Sequence, residues 1–286
     1  MSSNRLVAAL PRRVVVVVGL VTIVATVAVM AASRGAAASD TRELTGDEIM
    51  RRVDELGRVR DLRADATLTT SGPSGVQVKR LTLLRRLDPD GVHYRSLARF
   101  VAPAEVRGEA LLIVERADAL FEIFLYLPRY RKTRRVLGES QAANMFGTSM
   151  SYADLAGPGA LAQNHRLLRT APCPGEHGTC YVVESTPPCE AARIGLGYAR
   201  ARHFVESATF ELARSEFFAA DASLAKVIVA SVYRELAHTP RLALAMHLRV
   251  EDQRTGSVTE LLLEHAQANV GLSANDFALE RLGGAP

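Results

Sequence analysis

The spacing nearest to a catalytic one in this sequence is Gly147-Thr-Ser-Met-Ser151. A nucleophile elbow needs glycine on both sides of its serine, so that the chain turns sharply from strand to helix and exposes the hydroxyl. Here Ser151 stands where the second glycine belongs, and no strand-to-helix setting is evident. A secreted hydrolase using Ser149 or Ser151 is kept only as a third reading, behind two binding functions. The seven histidines are scattered with no pair four residues apart, so no zinc helix of the H-E-x-x-H type is present. His203 and His247 fall inside strand patterns and read as packing or surface residues, and Asp88 and Asp90 are explained by turn chemistry. There is no Walker loop and no complete G-x-G-x-x-G. No metal, cofactor or catalytic residue is expected.

Cys173, Cys180 and Cys189 lie close together in the sequence. In an oxidising compartment two would pair and one be left over, as a local staple rather than a redox site, since no C-x-x-C is present. Cys173–Cys180 would close a short hairpin; Cys180–Cys189 is equally open on spacing.

Arg129, Arg131, Lys132, Arg134 and Arg135 crowd the stretch after Pro128. They form either a solvated strand or loop, or a rim that meets anionic headgroups or an acidic partner, for which arginine's planar fork suits phosphate. Bulk charge does not favour nucleic acid. The formal charge is +4, and the four arginines of residues 1–38 account for all of it, so the remainder has as many acids as bases.

Those residues have to be positioned by the rest of the chain. Val14–Ala32 is an uninterrupted apolar run preceded by Arg5, Arg12 and Arg13 and followed by Ala36-Ala37-Ala38. This reads as a secretory signal cleaved before Ser39, or as an uncleaved anchor, since the run is long enough to span a bilayer. Either way the remainder, residues 39–286, is expected to be exported to the periplasm as one domain. Thr45-Gly-Asp-Glu48 has the form of a capping box, and Ile49, Met50, Val53 and Leu56 follow at helical spacing, predicting an amphipathic helix over 45–59. From Leu62 the period changes to two, and at least ten strands in meander order follow, punctuated by turns such as Asp88-Pro-Asp-Gly91 and Arg254-Thr-Gly256. Leu111–Val114 and Phe121–Leu127 are apolar at both parities, so both faces there must touch something apolar.

Phe100-Val-Ala-Pro103, Arg107-Gly108, Leu111-Leu112, Leu125-Tyr-Leu-Pro128, Arg134-Arg135, Phe146-Gly-Thr and Ser151-Tyr-Ala-Asp-Leu155 together resemble the outer-membrane lipoprotein-sorting protein family, the LolA-like carriers. The similarity is clearest over residues 95–155, with a late Lys226 and a closing Phe277 and Leu282 in fitting order. The family usually has Asp, Phe and Glu where Ser149, Met150 and Ala153 stand here, and this chain has no Trp.

The resemblance implies a mainly β fold, a strongly curved antiparallel incomplete β-barrel of about eleven strands, with helices covering its concave face. It implies that lipid or lipoprotein acyl chains bind between sheet and helices, shielded in transit between membranes, with an inner-membrane transporter as a possible partner. The cavity residues expected on this basis are Leu111, Ile113, Phe124, Tyr126, Phe146, Met150 and Tyr152. Ile49, Met50, Val53 and Leu56 would face it from a lid, and Arg129, Arg131, Arg134 and Arg135 would form the rim. The alternative is a membrane-anchored interaction module on the same scaffold, binding a protein through the basic segment.

Overall fold

The computed structural model describes residues 43–284, except 74, 117–120, 157–162, 176–177 and 239. The apolar run at 14–32, and with it the choice between signal and anchor, lies outside the described residues. No helix among the described residues is long and apolar enough to cross a membrane. The chain separates into Met1–Arg42 and a compact unit, Glu43–Pro286, that holds every element below.

Helix α1 (Gly46–Leu56) opens that unit. Six strands follow as a meander: β1 (Asp61–Gly72), β2 (Gly75–Leu87), β3 (Tyr94–Ala102), β4 (Ala110–Glu115), β5 (Phe121–Leu127) and β6 (Lys132–Val136). An irregular segment with a 3-10 turn at Ala153–Ala156 leads to β7 (Asn164–Pro172) and β8 (Thr179–Thr186). Helix α2 (Glu190–Leu196) precedes β9 (Arg200–Glu206), β10 (Leu212–Phe218), β11 (Leu224–His238), β12 (Arg241–Asp252) and β13 (Ser257–Ala268). All thirteen strands form one antiparallel sheet in the order β6-β5-β4-β3-β2-β1-β13-β12-β11-β10-β9-β8-β7. β1 and β13 join the two meanders at the centre, and β6 and β7 are left as edges, so the sheet is curved but not closed into a barrel.

The class matches the sequence expectation, and among the described residues the strands number thirteen rather than about eleven. Residues His203–Phe218 divide into β9 and β10 at a tight turn where Phe210 takes a left-handed φ of 61°. The basic burst supplies β6, whose short alternation of charges reads equally as loop. The predicted helix ends earlier, at Leu56, where Gly57 caps it.

Binary patterning sets the two faces. On β1, Leu62, Ala64, Ala66 and Leu68 turn inward and Arg63, Asp65, Thr67 and Thr69 outward. Register carries this parity across the sheet, through Leu81, Phe100, Leu111 and Leu125 on one side and Leu261 and Val250 on the other. A bulge between Arg63 and Asp65, where His265 on β13 adopts φ 49°, bends the central pair. β4 is buried on both faces. Its outer side, Ala110, Leu112 and Val114, is covered by the C-terminal segment through Phe277 and Leu282. Arg99 holds that segment in place, donating from Nη1 to the carbonyls of Leu282 and Gly284, both at 2.8 Å.

A covered apolar face as candidate functional site

The inner face carries two coverings of different origin. The first is the segment 144–156. Met145 and Met150 are buried among Leu68, Leu81, Phe100, Leu111, Ile113, Ile123 and Leu125, and Phe146 packs edge-on against Phe100 with ring centroids 4.5 Å apart. Its polar groups reach the sheet. The Ser149 amide donates to Thr259 Oγ1 at 2.8 Å, Ser149 Oγ lies 3.0 Å from Ser257 Oγ, and Asn144 donates to Asp252 at 2.8 Å. Asp154 accepts from the Ser151 amide and from Lys226 Nζ, an ion pair whose side chains are both about nine-tenths buried. α2 packs beside it through Ala192.

The second covering is α1, which forms because its capping box is complete: Thr45 Oγ1 accepts from the Glu48 amide, and Glu48 Oε2 from the Thr45 amide. Ile49 and Met50 are buried against Val183 and Val205. The helix touches β7, β8 and β12, although β9, β10 and β11 lie between β8 and β12 in the sheet. A single eleven-residue helix reaches both only because the sheet curves under it. Its N-terminus sits directly on the β7 backbone: a Cβ on Gly46 would lie 2.6 Å from the His165 carbonyl. Asp47 Oδ1 accepts from the His165 amide at 3.2 Å.

Beneath that end of α1 runs a polar row. His165 Nδ1 is 2.7 Å from Ser185 Oγ and His203 Nδ1 is 2.8 Å from Ser215 Oγ, on β7, β8, β9 and β10. Burial lowers both imidazoles from their ordinary value, His203 to about 3. Beneath the other end, Arg85 stacks on the Tyr94 ring at 3.9 Å and lies 3.5 Å from Glu115. Asp54 of α1 faces this group. It is solvent-exposed, but desolvation against the protein surface raises its pKa to about 6 against the pull of Arg85 and Arg58.

Between the two coverings the floor is apolar and incompletely buried. On β2, β13, β12 and β11 the inward side chains Leu83, Leu263, Leu248 and Ile228 are all only partly buried. Ala64, Ala66 and Ala230 stand beside them, as register partners of Leu83, Leu263 and Leu248. Small side chains here leave room where a packed core would place larger ones. Leu263 touches both the cluster around Met145 and Met150 and the cluster around Val59, just beyond α1.

The residues expected from sequence divide between faces. Leu111, Ile113, Phe146, Met150 and Tyr152 share the inner face, though Leu111 and Ile113 lie fully under segment 144–156. Phe124 and Tyr126 do not join them. Phe124 is paired with Leu112 and so faces outward, where both rings pack with the C-terminal segment's cluster. The apolar pattern at both parities thus has a protein cause on its outer side. Of the lid residues, Ile49, Met50 and Leu56 are buried and Val53 half-buried. The rim is split as well: Arg134 is on the inner side, paired with Leu125, and Arg135 on the outer side, ion-paired with Glu122. Sequence reasoning missed Leu83, Ile228, Leu248 and Leu263, whose signal is the inward parity they share with Leu81, Val250 and Leu261.

Ser149 and Ser151 are fully buried and their hydroxyls are engaged in the anchoring bonds, so neither presents a nucleophile. Cys173 and Cys180 form a disulfide across the β7–β8 hairpin, and Cys189 is free and exposed. No group of three metal-ligating side chains occurs among the described residues.

A curved, open sheet with helices over its inner face defines the LolA-like class of folds. The family model that matches, described as that of an uncharacterized protein, covers residues 93–283, and the chain belongs to that family. No curated protein matches the sequence. Among solved structures, a DUF1329 family protein from Desulfovibrio piger aligns with TM-score 0.76 at 22% identity, over 83% of this chain and 97% of that one. A putative outer membrane lipoprotein-sorting protein domain from Vibrio parahaemolyticus aligns with TM-score 0.75 at 20% identity, over 83% and 98%. A LolA superfamily protein from Nitrosomonas europaea aligns with TM-score 0.65 at 18% identity, over 82% and 98%.

Proposed function

We propose that this protein is a periplasmic carrier that holds lipid or lipoprotein acyl chains against the inner face of its sheet and moves them between membranes. The observation that carries this reading is the row Leu83, Leu263, Leu248 and Ile228, apolar and inward-facing yet only partly buried under α1 and segment 144–156. An acyl chain in water needs such a surface, since each buried CH₂ contributes about 0.8 kcal/mol. A lipoprotein-sorting domain among the aligned structures supports it. An inner-membrane transporter would be the donor.

The test is purification without detergent, lipid extraction and mass spectrometry, followed by titration with a fluorescent fatty acid. Co-purifying lipid and saturable uptake are expected. Leu263→Arg should abolish uptake with the fold intact by circular dichroism. Phe124→Ser, on the outer face, should leave it unchanged. A lipid-free protein that takes up no fatty acid ends the carrier reading.

A further inference from the structure

The cations of this sheet fall into two populations. On the outer face of β7–β13 they are paired: Arg166 and Arg200 share Glu184, Arg202 and Arg214 share Glu216, and Arg249 bridges Glu251 and Glu260. At one end of β2–β6 they are not. Arg80, Arg107, Arg129, Arg131 and Lys132 are exposed, and none has a carboxylate within 4.0 Å among the described residues. The meander brings them together, because the β1–β2 turn, the β3–β4 corner and the β5–β6 connection lie at the same end of adjacent strands. The acids of this end, Glu105 and Glu109 at the β3–β4 corner, are outnumbered.

Large apolar side chains are exposed among the same cations. Val76 is 68% exposed, Val78 47%, Val101 38% and Tyr130 62%. They sit on tips: the start of β2, where Gly75–Val78 are all exposed, the end of β3, and the turn at Pro128–Tyr130. Gly108 packs against Pro128, with a built Cβ 3.3 Å from its Cγ, so the β3–β4 corner and that turn are one surface.

We infer that this end of the sheet is a docking surface for an anionic lipid bilayer, resting on the carrier reading for its purpose. Valine and tyrosine tips suit the interfacial layer, and unpaired arginines and lysine suit lipid phosphates. Protruding tips fit a fluid surface. An acidic protein segment would instead want a groove or an open strand edge, and these apolar groups line neither. Arg135, ion-paired to Glu122 on the outer face, is not part of the surface.

The experiment is co-sedimentation of the chain from Ser39 onward, which contains the whole compact unit, with vesicles. One set is phosphatidylcholine alone; the other contains about one-third phosphatidylglycerol, to supply the surface charge. Binding is expected only to the second, and is expected to be lost between about 0.1 and about 0.5 M salt. Each cation removed near the surface should weaken partitioning about fivefold, so the triple variant Arg129→Gln, Arg131→Gln, Lys132→Gln should lose on the order of 100-fold. Val76→Ser with Val78→Ser should lose roughly tenfold. Arg166→Gln with Arg249→Gln, which removes paired cations, should change little. Equal binding to both vesicle types, or equal loss in the paired-cation control, overturns the inference. Binding of polyglutamate without binding of anionic vesicles overturns it in favour of an acidic protein. Fatty acid uptake by the same preparations separates the two proposals: uptake without vesicle binding removes only the docking surface, and vesicle binding without uptake removes only the carrier.

Discussion

Segment 144–156 and helix α1 cover the same face of the same sheet, but they are held there by different physics. The segment is tied by a buried ion pair and by hydrogen bonds to three strands: Lys226 to Asp154, Asn144 to Asp252, and the Ser149 amide to Thr259. Helix α1 rests on apolar contact through Ile49 and Met50, with the His165 amide donating to Asp47 and Arg52 lying over the Phe210 ring at 4.7 Å. Buried polar bonds fix one geometry and are costly to break singly. Apolar contact is forgiving of displacement and regained on closure. On the carrier reading proposed above, the segment would be a fixed wall and α1 the part that lifts to admit a chain.

Breaking the wall should cost most. Lys226→Met leaves Asp154 buried beside no cation, and such a removal costs about 3–5 kcal/mol, read as a lowered urea midpoint. Adding Asp154→Leu should recover most of it, because the uncompensated charge is then gone. A loss below about 1 kcal/mol, the worth of a surface pair, would mean the wall is no better tied than α1.

Ile49→Ala tests the other side. The side chain is fully buried, so about 2 kcal/mol or more of docking energy is removed. If α1 lifts independently, hydrogen exchange of its amides should accelerate about 30-fold, while amides of β12 and segment 144–156 keep their protection. Acceleration of all three together would show that α1 and the wall open as one unit.

Much of this was legible in the sequence, and the limits are physical. Thr45 and Glu48 announce α1 because a capping box is a local device. Alternation gives β1 its inward face for the same reason. The family pattern around Phe146 and Ser151–Leu155 points to the right segment, but its meaning does not follow from spacing. Lys226 is remote from Asp154 in sequence, and only the fold makes them partners. Phe124 and Tyr126 were misplaced because an apolar strand does not say what covers each face. Here the C-terminal segment covers the outer one. Parity puts Leu83, Leu263, Leu248 and Ile228 on the inner face, but their partial burial does not follow from sequence, since it depends on how far the coverings reach.

The smallest effect expected is on pH dependence, and it sharpens the comparison by dividing α1 itself. His203, facing Ser215, the edge of the Phe217 ring and its neighbour His165, is held neutral by burial, its pKa lowered from 6.5 to about 3. The unfolded chain takes up that proton below about 6.5 and the folded one does not, so this stability is present above 6.5 and falls as pH falls. At the other end Asp54, near Arg85, Arg58 and Glu55, is raised from 3.8 to about 6. The folded chain takes up this proton first, so its contribution has the opposite sign and grows as pH drops from about 6 toward 3.8. From pH 7 to about 5.5 the histidine should cost about 1 kcal/mol and the aspartate return part of it. His203→Gln should therefore flatten the fall in melting temperature over that range, and Asp54→Asn should steepen it. Identical profiles for both variants would mean that neither His203 nor Asp54 titrates at a shifted pKa in the folded chain.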